Sequence, residues 1–298
     1  MTRRRVLVAG LVIGMLALFS VPSARAAENA SESFARGNAL VASGNLHEAY
    51  AAFMAAAKMA PDNMEYRQQF ALVRRVIQME KALTAAPDAE DWVATAQGVR
   101  TFYANLGLYQ SMLSLDQQIH ERAKSADSAA ALADTQLALG MNEETVSLLA
   151  ALPEAQQSAT TRALLGIAYT RLGNDAAARE LAHNITPTEN AGADELYAIA
   201  RLNALLGSDA PAIATLTRSF EATHPMRLEA AKKAAKDSPD FARLAGSAPF
   251  VAALATESKV KVSSCSGGSS CGKCPSAASC AKSGATHTGD EKPCDKDQ

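Results

Sequence analysis

Apolar residues recur at helical spacing along most of the chain, in short segments that each end at a glycine. Each of these glycines is followed by another segment of the same kind. The intervals between them are 63, 33, 33 and 34 residues. A period of 33 to 34 residues is typical of an array of helix-turn-helix units. The pattern therefore predicts an all-α solenoid of helical hairpins, with turns at Gly44, Gly107, Gly140, Gly173 and Gly207.

The interval of 63 residues lacks a turn glycine where the period requires one. From Met64 to Ala86 the chain keeps helical spacing, and no helix breaker comes before Pro87. This segment is predicted to be one long irregular helix or a degenerate unit. Its apolar positions are Phe70, Val73, Ile77 and Leu83.

The composition agrees with closely packed helices. The chain is 48% hydrophobic but only 5% aromatic, and alanine is abundant; this favours helices over sheets. A formal net charge of −2 provides no global field that would attract nucleic acid or anionic lipid, so we expect neither as a partner.

The N-terminus has the three parts of an export signal: the basic stretch Arg3 to Arg5, an apolar run from Val6 to Phe19, and the small-x-small sequence Ala24-Arg25-Ala26. We expect cleavage near residue 26 and a periplasmic or secreted protein. The apolar run is short for a membrane span, so no stable membrane insertion is expected after cleavage. One alternative is an uncleaved anchor. Another is the twin-arginine export route in place of the general one, because Arg3-Arg4-Arg5-Val6-Leu7 fits the loose twin-arginine pattern.

The repeat resembles the tetratricopeptide repeat (TPR) family. In the unit from Ala30 to Asn63 the family's signature positions hold Gly37, Leu40, Gly44, Ala49, Phe53, Ala56 and Pro61. The unit around Gly173 is similar, with Leu165, Gly166, Tyr169 and Ala178. Two departures are Arg100, where the family has a small residue, and Met112, where it has alanine. The two helices of the first unit are expected to cross where Gly37 meets Ala49 and Ala56.

The resemblance implies a repeat domain at residues 27–254, after a signal peptide at 1–26. Its units lie near 30–63, 93–125, 126–158, 159–192 and 193–226, with the irregular helix at 64–86 and a helical cap at 227–254. The cap closes the last apolar face, which would otherwise meet water. Residues 255–298 contain no Leu, Ile, Met, Phe, Tyr or Trp, which predicts a flexible tail.

The resemblance also implies that the first helix of each unit lines an inner surface, where the family binds a protein or peptide. Phe34 stands where a peptide-carboxylate clamp of the family would have lysine, so a chaperone-tail receptor is not expected. The predicted binding residues are Phe34, Asn38, Val41, Gln97, Thr101, Asn105, Asp134, Leu137, Ile167, Arg171, Tyr197 and Arg201.

Catalytic motifs are absent from the repeat region. The patterns GxSxG, HExxH and GxxxxGK[ST] do not occur there, and its histidines stand singly. The sequence therefore predicts a binding scaffold and no enzyme.

All five cysteines fall in the tail, in the pattern CxxxxxCxxCxxxxxC followed by one more. The first reading is a site for a soft metal ion, zinc or copper, because a CxxC loop lets two thiolates face one ion. Its candidate ligands are Cys265, Cys271, Cys274 and Cys280, with His287 and Cys294 as substitutes.

Three other readings of the tail remain open. An oxidising compartment favours disulfides, which would make the protein a redox-active or cross-linked assembly component of the envelope. The spacing of Cys265, Cys271 and Cys274 also resembles that of some two-iron ferredoxins, but the chain lacks the fold that shields such a cluster, so an iron–sulfur cluster is not expected. The last reading is a plain interaction scaffold with an idle tail.

Overall fold

The computed structural model describes residues 22–187 and 190–262. Within these ranges there are thirteen α-helices, two short 3-10 turns at Glu154–Gln156 and Pro239–Phe241, and no strand. The helices are α1 (Pro22–Ala42), α2 (Leu46–Met59), α3 (Met64–Ala85), α4 (Trp92–Leu106), α5 (Tyr109–Ala123), α6 (Ala126–Ala138), α7 (Asn142–Ala150), α8 (Ala159–Arg171), α9 (Asp175–His183), α10 (Ala193–Leu205), α11 (Asp209–Ala222), α12 (Pro225–Asp237) and α13 (Ala248–Leu254).

Ten of these helices form five consecutive hairpins: α1/α2, α4/α5, α6/α7, α8/α9 and α10/α11. The second to fifth hairpins contact one another in order, through α5 and α6, through α7 and α8, and through α8 and α10, whereas the first is joined to the second through α3. Helix α3 is the predicted long helix and stands alone between the first two hairpins. The helices α12 and α13 follow the last hairpin. The predicted all-α solenoid, its long irregular helix and its helical cap are confirmed.

The turn glycines explain why the hairpins repeat. At Gly140 and Gly173 the backbone is left-handed, with φ of 76° and 78°, a conformation that costs glycine little. In each turn the residue after the glycine donates its N–H to a carbonyl five positions back: Met141 to Gln136 at 2.9 Å and Asn174 to Tyr169 at 2.8 Å. This Schellman bond ends one helix and reverses the chain. The same conformation occurs at Gly44, Gly107 and Gly207.

The crossing of α1 and α2 differs from the expectation in its detail. Ala49 and Ala56 are fully buried, as expected of small residues at a crossing. The nearest neighbour of Gly37, however, is the Phe53 ring, which a Cβ at Gly37 would approach to 2.6 Å. Gly37 therefore makes room for the Phe53 ring at this crossing, in addition to the small residues that were expected there.

The hydrophobic core is arranged in three clusters along the array. The first contains residues from every helix between α1 and α5, and the second contains residues from every helix between α6 and α10. The third is formed by α10, α11, α12, α13 and the turn at Pro239–Phe241. In the third cluster Phe220, Phe241 and Phe250 are almost completely buried. This is the apolar closure that the end of a solenoid requires.

No helix within residues 22–187 and 190–262 combines the length and the hydropathy needed to cross a bilayer. The predicted signal sequence begins before these residues, and the cysteines of the tail come after them.

Candidate partner-binding groove

A groove of about 480 Å³ runs along the inner side of the array. One wall comes from α4, α6, α8 and α10, which are the first helices of four successive hairpins, and the other includes α12. Eight of the twenty-two residues that line the groove are alanines, and at these positions another chain can approach the helix backbones closely. These are Ala104, Ala130, Ala131, Ala193, Ala198, Ala230, Ala231 and Ala234.

The edges of the groove carry polar and charged groups. Asn105 and Asp127 are exposed on α4 and α6. Asp194 on α10 meets Arg227 on α12 in a loose, exposed ion pair at 3.5 Å. Tyr109 is 38% exposed at the start of α5. The groove thus combines an apolar lining with a polar edge, as recognition surfaces for protein segments commonly do.

In the first unit the predicted surface is only partly free. Phe34 stacks on Tyr66 of α3 with ring centroids 4.4 Å apart, and it also contacts Phe53. Val41 is half-buried against the N-terminal core. Of the three residues predicted there, only Asn38 is exposed. Helix α3 therefore covers part of the surface that the first unit was expected to present.

In the second unit the three predicted residues share one exposed face of α4. Gln97 and Thr101 are linked by a bond from the Thr101 hydroxyl to the Gln97 carbonyl at 2.8 Å. Asn105 lies one turn further on and lines the groove. This face has the exposure that a binding role requires.

Two of the predicted residues lie in the core and cannot contact a partner. Ile167 is 0% exposed and Leu137 is 2% exposed, and both belong to the central cluster. The prediction that they line the inner surface is corrected: α6 and α8 pack side by side, and these residues lie in the packed interior.

The remaining four predicted residues are brought together, but by the cap of the chain. The Asp240 carboxylate, in the turn after α12, accepts from Arg171 Nη2 at 2.7 Å and from Arg201 Nε at 2.7 Å. Arg201 also donates to Asp134 at 2.5 Å. Beside them the Tyr197 ring lies 5.9 Å from the Phe241 ring. We call Arg171, Arg201, Asp134 and Asp240 the cap cluster.

The centre of the cap cluster, Arg201 and Asp240, is buried and electrostatically coupled, whereas Asp134 is half exposed at its edge. The Asp240 side chain is 2% exposed and that of Arg201 is 8% exposed. Burial alone disfavours the charge of Arg201, but Asp134 and Asp240 outweigh that cost and hold the pKa of Arg201 above its ordinary value. Burial also raises the pKa of Tyr197. Arg171 and Arg201 are therefore occupied by the protein's own carboxylate.

The role of Asp240 was missed at the sequence level. Its surroundings, Ser238-Pro239-Asp240-Phe241, indicate only a turn. The Ser238 hydroxyl accepts from the Asp240 N–H at 3.3 Å, which is an ordinary start to such a turn. The Asp240 carboxylate reaches Arg171 on α8 and Arg201 on α10 because the chain after α12 turns back over these helices. No local sequence pattern predicts that turn.

A second buried polar cluster explains why Arg100 replaces a small residue. Arg100 Nε donates to Asp116 at 2.5 Å, and Thr135 donates to the other Asp116 oxygen at 2.6 Å. Arg100 also donates to the Ala131 carbonyl at 3.3 Å. Burial raises the pKa of the Asp116 carboxyl although Arg100 and Thr135 act in the opposite direction. We call Arg100, Asp116 and Thr135 the joint cluster, because it links the second hairpin to the third.

A smaller cavity of about 410 Å³ lies between α3, α4 and α5. The Tyr103 hydroxyl donates to Glu80 at its edge, and the Trp92 indole N–H donates to the Leu83 carbonyl at 3.1 Å. These bonds fasten α3 to α4, so this cavity lies within the joint between the long helix and its neighbour.

The predicted metal ligands Cys265, Cys271, Cys274, Cys280, His287 and Cys294 all lie outside the described residues. Among residues 22–187 and 190–262, no group of three or more His, Cys, Asp or Glu side chains is arranged to hold a metal ion.

The hairpin order, the left-handed turn glycines and the inner groove define a TPR-type helical-repeat fold. This fold is typically that of a protein-interaction scaffold without catalytic activity. Among solved structures, the chain is similar to a tetratricopeptide repeat protein from Parabacteroides merdae, with 15% identity and a TM-score of 0.39 over 76% of this chain and 98% of that one. No family model matches the sequence. No curated protein matches it either.

Proposed function

We propose that this chain is an exported scaffold that binds a segment of a partner protein in its inner groove and carries a metal-binding, cysteine-rich tail. The observation that supports the binding role is the division of the inner side. Tyr197 and Arg201 line its C-terminal part, where the Arg201 guanidinium, like that of Arg171, is already paired with Asp240 of the cap. The part between α4, α6 and α12 has exposed lining residues instead.

The open part of the groove favours a partner segment with little bulk. Alanines on α4 and α6 face alanines on α12, so short side chains line both sides of the groove. Asn105 and Asp127 at the edge can hydrogen-bond to such a segment and hold its position. The partner's contacts are therefore expected at Asn105 and its neighbours and not at Arg171 or Arg201.

The groove can be tested by closing it without disturbing the core. Ala104 on α4 and Ala230 on α12 are exposed and line the groove. Ala138 is exposed on α6 but does not line it. A photoreactive residue at position 105 in the native compartment should give a discrete adduct, and Ala104→Phe or Ala230→Phe should abolish it. Ala138→Phe should leave it unchanged. An adduct that survives both groove variants would contradict the proposal.

Export rests on the three-part N-terminus. Its test is the N-terminal sequence of the protein isolated from an envelope fraction, which should begin near residue 27. A protein in that fraction that still begins at Met1 would contradict cleavage and favour the anchor.

The position at which the tail begins supports a link between the tail and the groove. After α13 the chain runs along the end of α11, where the Ser258 hydroxyl donates to the Thr223 carbonyl at 2.5 Å and the Lys259 N–H donates to the Glu221 carbonyl at 2.8 Å. Thr223 itself lines the groove. The chain that leads to the cysteines is thus held by Ser258 and Lys259 next to the groove, where the partner segment is proposed to bind.

The metal proposal rests on the spacing of Cys271 and Cys274, with Cys265 and Cys280 completing a set of four thiolates. Its test is to isolate the protein without chelator or reductant and to measure metals and free thiols in one sample. About one zinc or copper per chain, absent from a Cys271→Ser/Cys274→Ser variant, is expected. No metal together with oxidised thiols would replace this proposal with the disulfide reading. Free thiols without metal would favour the idle tail.

A further inference from the structure

Helix α3 presents a basic surface that the rest of the described chain does not neutralise. Arg67, Arg74, Arg75 and Lys81 are all exposed, and none of them forms an ion pair with a residue in 22–187 or 190–262. Arg67 makes only a weak contact with Met64 Sδ, at 3.6 Å. We call these four residues the basic face.

The period of the α-helix places the four cations on one side of α3. Residues seven apart lie almost above one another on a helix, with a rise of about 10.5 Å between them. Arg67, Arg74 and Lys81 therefore form one line, and Arg75 stands beside it. The opposite side of α3 carries Val73 and Val76, which are buried. The basic face thus points away from the packed side of the helix.

The helices that pack against α3 offer little negative charge. Its main contacts are with α2 and α4. Glu48 is the only acidic residue in α2, and α4 contains none. Between Arg67 and Lys81 the only acidic residue is Glu80, which accepts from Tyr103. By contrast, Arg100, Arg171 and Arg201 each have a buried aspartate within the array.

We propose that the basic face of α3 is a second docking surface, which binds an acidic helical segment of a partner protein. It lies outside the inner groove and does not depend on the function proposed for that groove. A guanidinium group can hold a carboxylate with two parallel hydrogen bonds, and three of the four cations are arginines. A partner helix with acidic residues at heptad spacing would match the line of Arg67, Arg74 and Lys81.

The same observations favour a protein helix over a membrane surface. A helix that lies on a bilayer inserts an apolar side into the lipid. The apolar side of α3 is already used against α2 and α4, as its buried valines show. The exposed positions of α3 carry no aromatic residue: besides the four cations they include Gln68, Ala71 and Gln78, and its large exposed apolar side chains are Met64 and Leu72, 58% and 45% exposed. These two side chains are separated along the helix and do not form a continuous apolar side, so lipid binding would rest mainly on charge.

The test uses the chain from residue 27 to residue 298 and a defined acidic probe. The probe is a labelled, alanine-based helical peptide with glutamates at heptad spacing, and the same peptide with glutamines is its control. The variant Arg67→Gln/Arg74→Gln/Arg75→Gln is compared with Arg36→Gln/Arg179→Gln/Lys236→Gln. The second variant removes the same charge from exposed positions on three other helices. Binding is followed by anisotropy at about 50 and 200 mM salt.

The wild type should bind the glutamate peptide more tightly than the glutamine peptide, and more weakly at the higher salt concentration. The α3 variant should bind at least about tenfold more weakly, and the control variant within about twofold of the wild type. Equal losses in both variants, or equal binding of both peptides, would overturn the proposal. So would binding to phosphatidylglycerol vesicles, through the same arginines, without binding to the glutamate peptide. Circular dichroism of both variants should show unchanged helicity.

Discussion

The two ends of the array use arginine in opposite ways. Near the C-terminus Arg171 and Arg201 are turned inward and neutralised by Asp240, a residue of the cap. Near the N-terminus Arg67, Arg74 and Arg75 are turned outward on α3, where no described residue forms an ion pair with them. The difference shows that the same residue type serves internal closure at one end and leaves a charged surface available at the other.

The internal ion pairs near the C-terminus can be tested by removing a single carboxylate, that of Asp240. Asp240→Ala removes the carboxylate shared by Arg171 and Arg201, and leaves a buried cation without one of its partners. We expect the free energy of unfolding to fall by about 3 kcal/mol, at the low end for a broken buried pair because Arg201 keeps Asp134. Urea denaturation measures the change.

Asp209→Ala provides the control for that experiment. It breaks the ion pair between Asp209 and Arg243, in which both side chains are about half exposed, and it should leave the urea midpoint almost unchanged. Amide exchange should increase around residues 239–254 in the Asp240 variant only. If the two variants were equally stable, the cap cluster would not be what closes the array.

Two close contacts between helices offer a second comparison: Gly37 packs against α2 of its own hairpin, and Gly166 packs against α10 of the next hairpin. A Cβ at Gly37 would meet the rigid Phe53 ring at 2.6 Å, whereas a Cβ at Gly166 would meet the flexible end of Leu202 at 2.9 Å. Gly37→Ala should therefore lower the free energy of unfolding by about 1–3 kcal/mol. Both variants gain the helix propensity of alanine, but Gly166→Ala should cost less, because its Cβ meets the flexible end of the Leu202 side chain and not a rigid ring. Thermal unfolding of both variants tests the order, and the reverse order would refute this account of the crossing.

The joint cluster makes a prediction about pH. Because the pKa of Asp116 is raised by burial above its ordinary value of 3.8, the folded state binds this proton more tightly than the unfolded state. The stability that Asp116 contributes is therefore present below pH 3.8 and is lost as the pH rises through its folded pKa. The free energy of unfolding of the wild type minus that of Asp116→Asn should fall as the pH increases from 3.8 through the folded pKa of Asp116. A difference that rises instead would show that Arg100 and Thr135 dominate.

The smallest effect on stability is expected at the exposed arginines of α3. The triple change Arg67→Gln/Arg74→Gln/Arg75→Gln removes no ion pair between described residues and leaves Val73 and Val76 in place. The free energy of unfolding should stay within about 0.5 kcal/mol of the wild type. A large loss in chemical denaturation would mean that these arginines serve the fold, and the docking proposal would lose its basis.

Much of the fold could be predicted from the sequence because it is set locally. Gly140 and Gly173 ended their helices as expected, and the absence of a glycine near residue 77 correctly indicated one continuous helix. Burial was harder to predict. Ile167 and Leu137 occupy helix positions that the repeat pattern assigns to the inner surface, yet they are core residues.

The cap cluster shows the limit of such predictions most clearly. Arg171, Arg201 and Asp134 were all predicted as inner-surface residues, and the structure brings them together with Asp240. Asp240, the partner that Arg171 and Arg201 share, is 69 positions from Arg171 in the chain, and nothing in its neighbourhood distinguishes it from any aspartate in a turn. A pairing over this distance depends on how successive hairpins stack, which the repeat pattern does not state.

The same separation has a consequence for how the chain folds. Each hairpin can form from neighbouring residues, whereas Asp240 must close a loop of 69 positions to reach Arg171, and loop closure becomes entropically more costly with length. Cap docking is therefore expected to be a late step, after α8 and α10 have paired. Until the cap docks, Arg171 and Arg201 lack the carboxylate that they share in the folded chain. We therefore expect a small anion added during refolding to bind these arginines and to slow the docking of the cap.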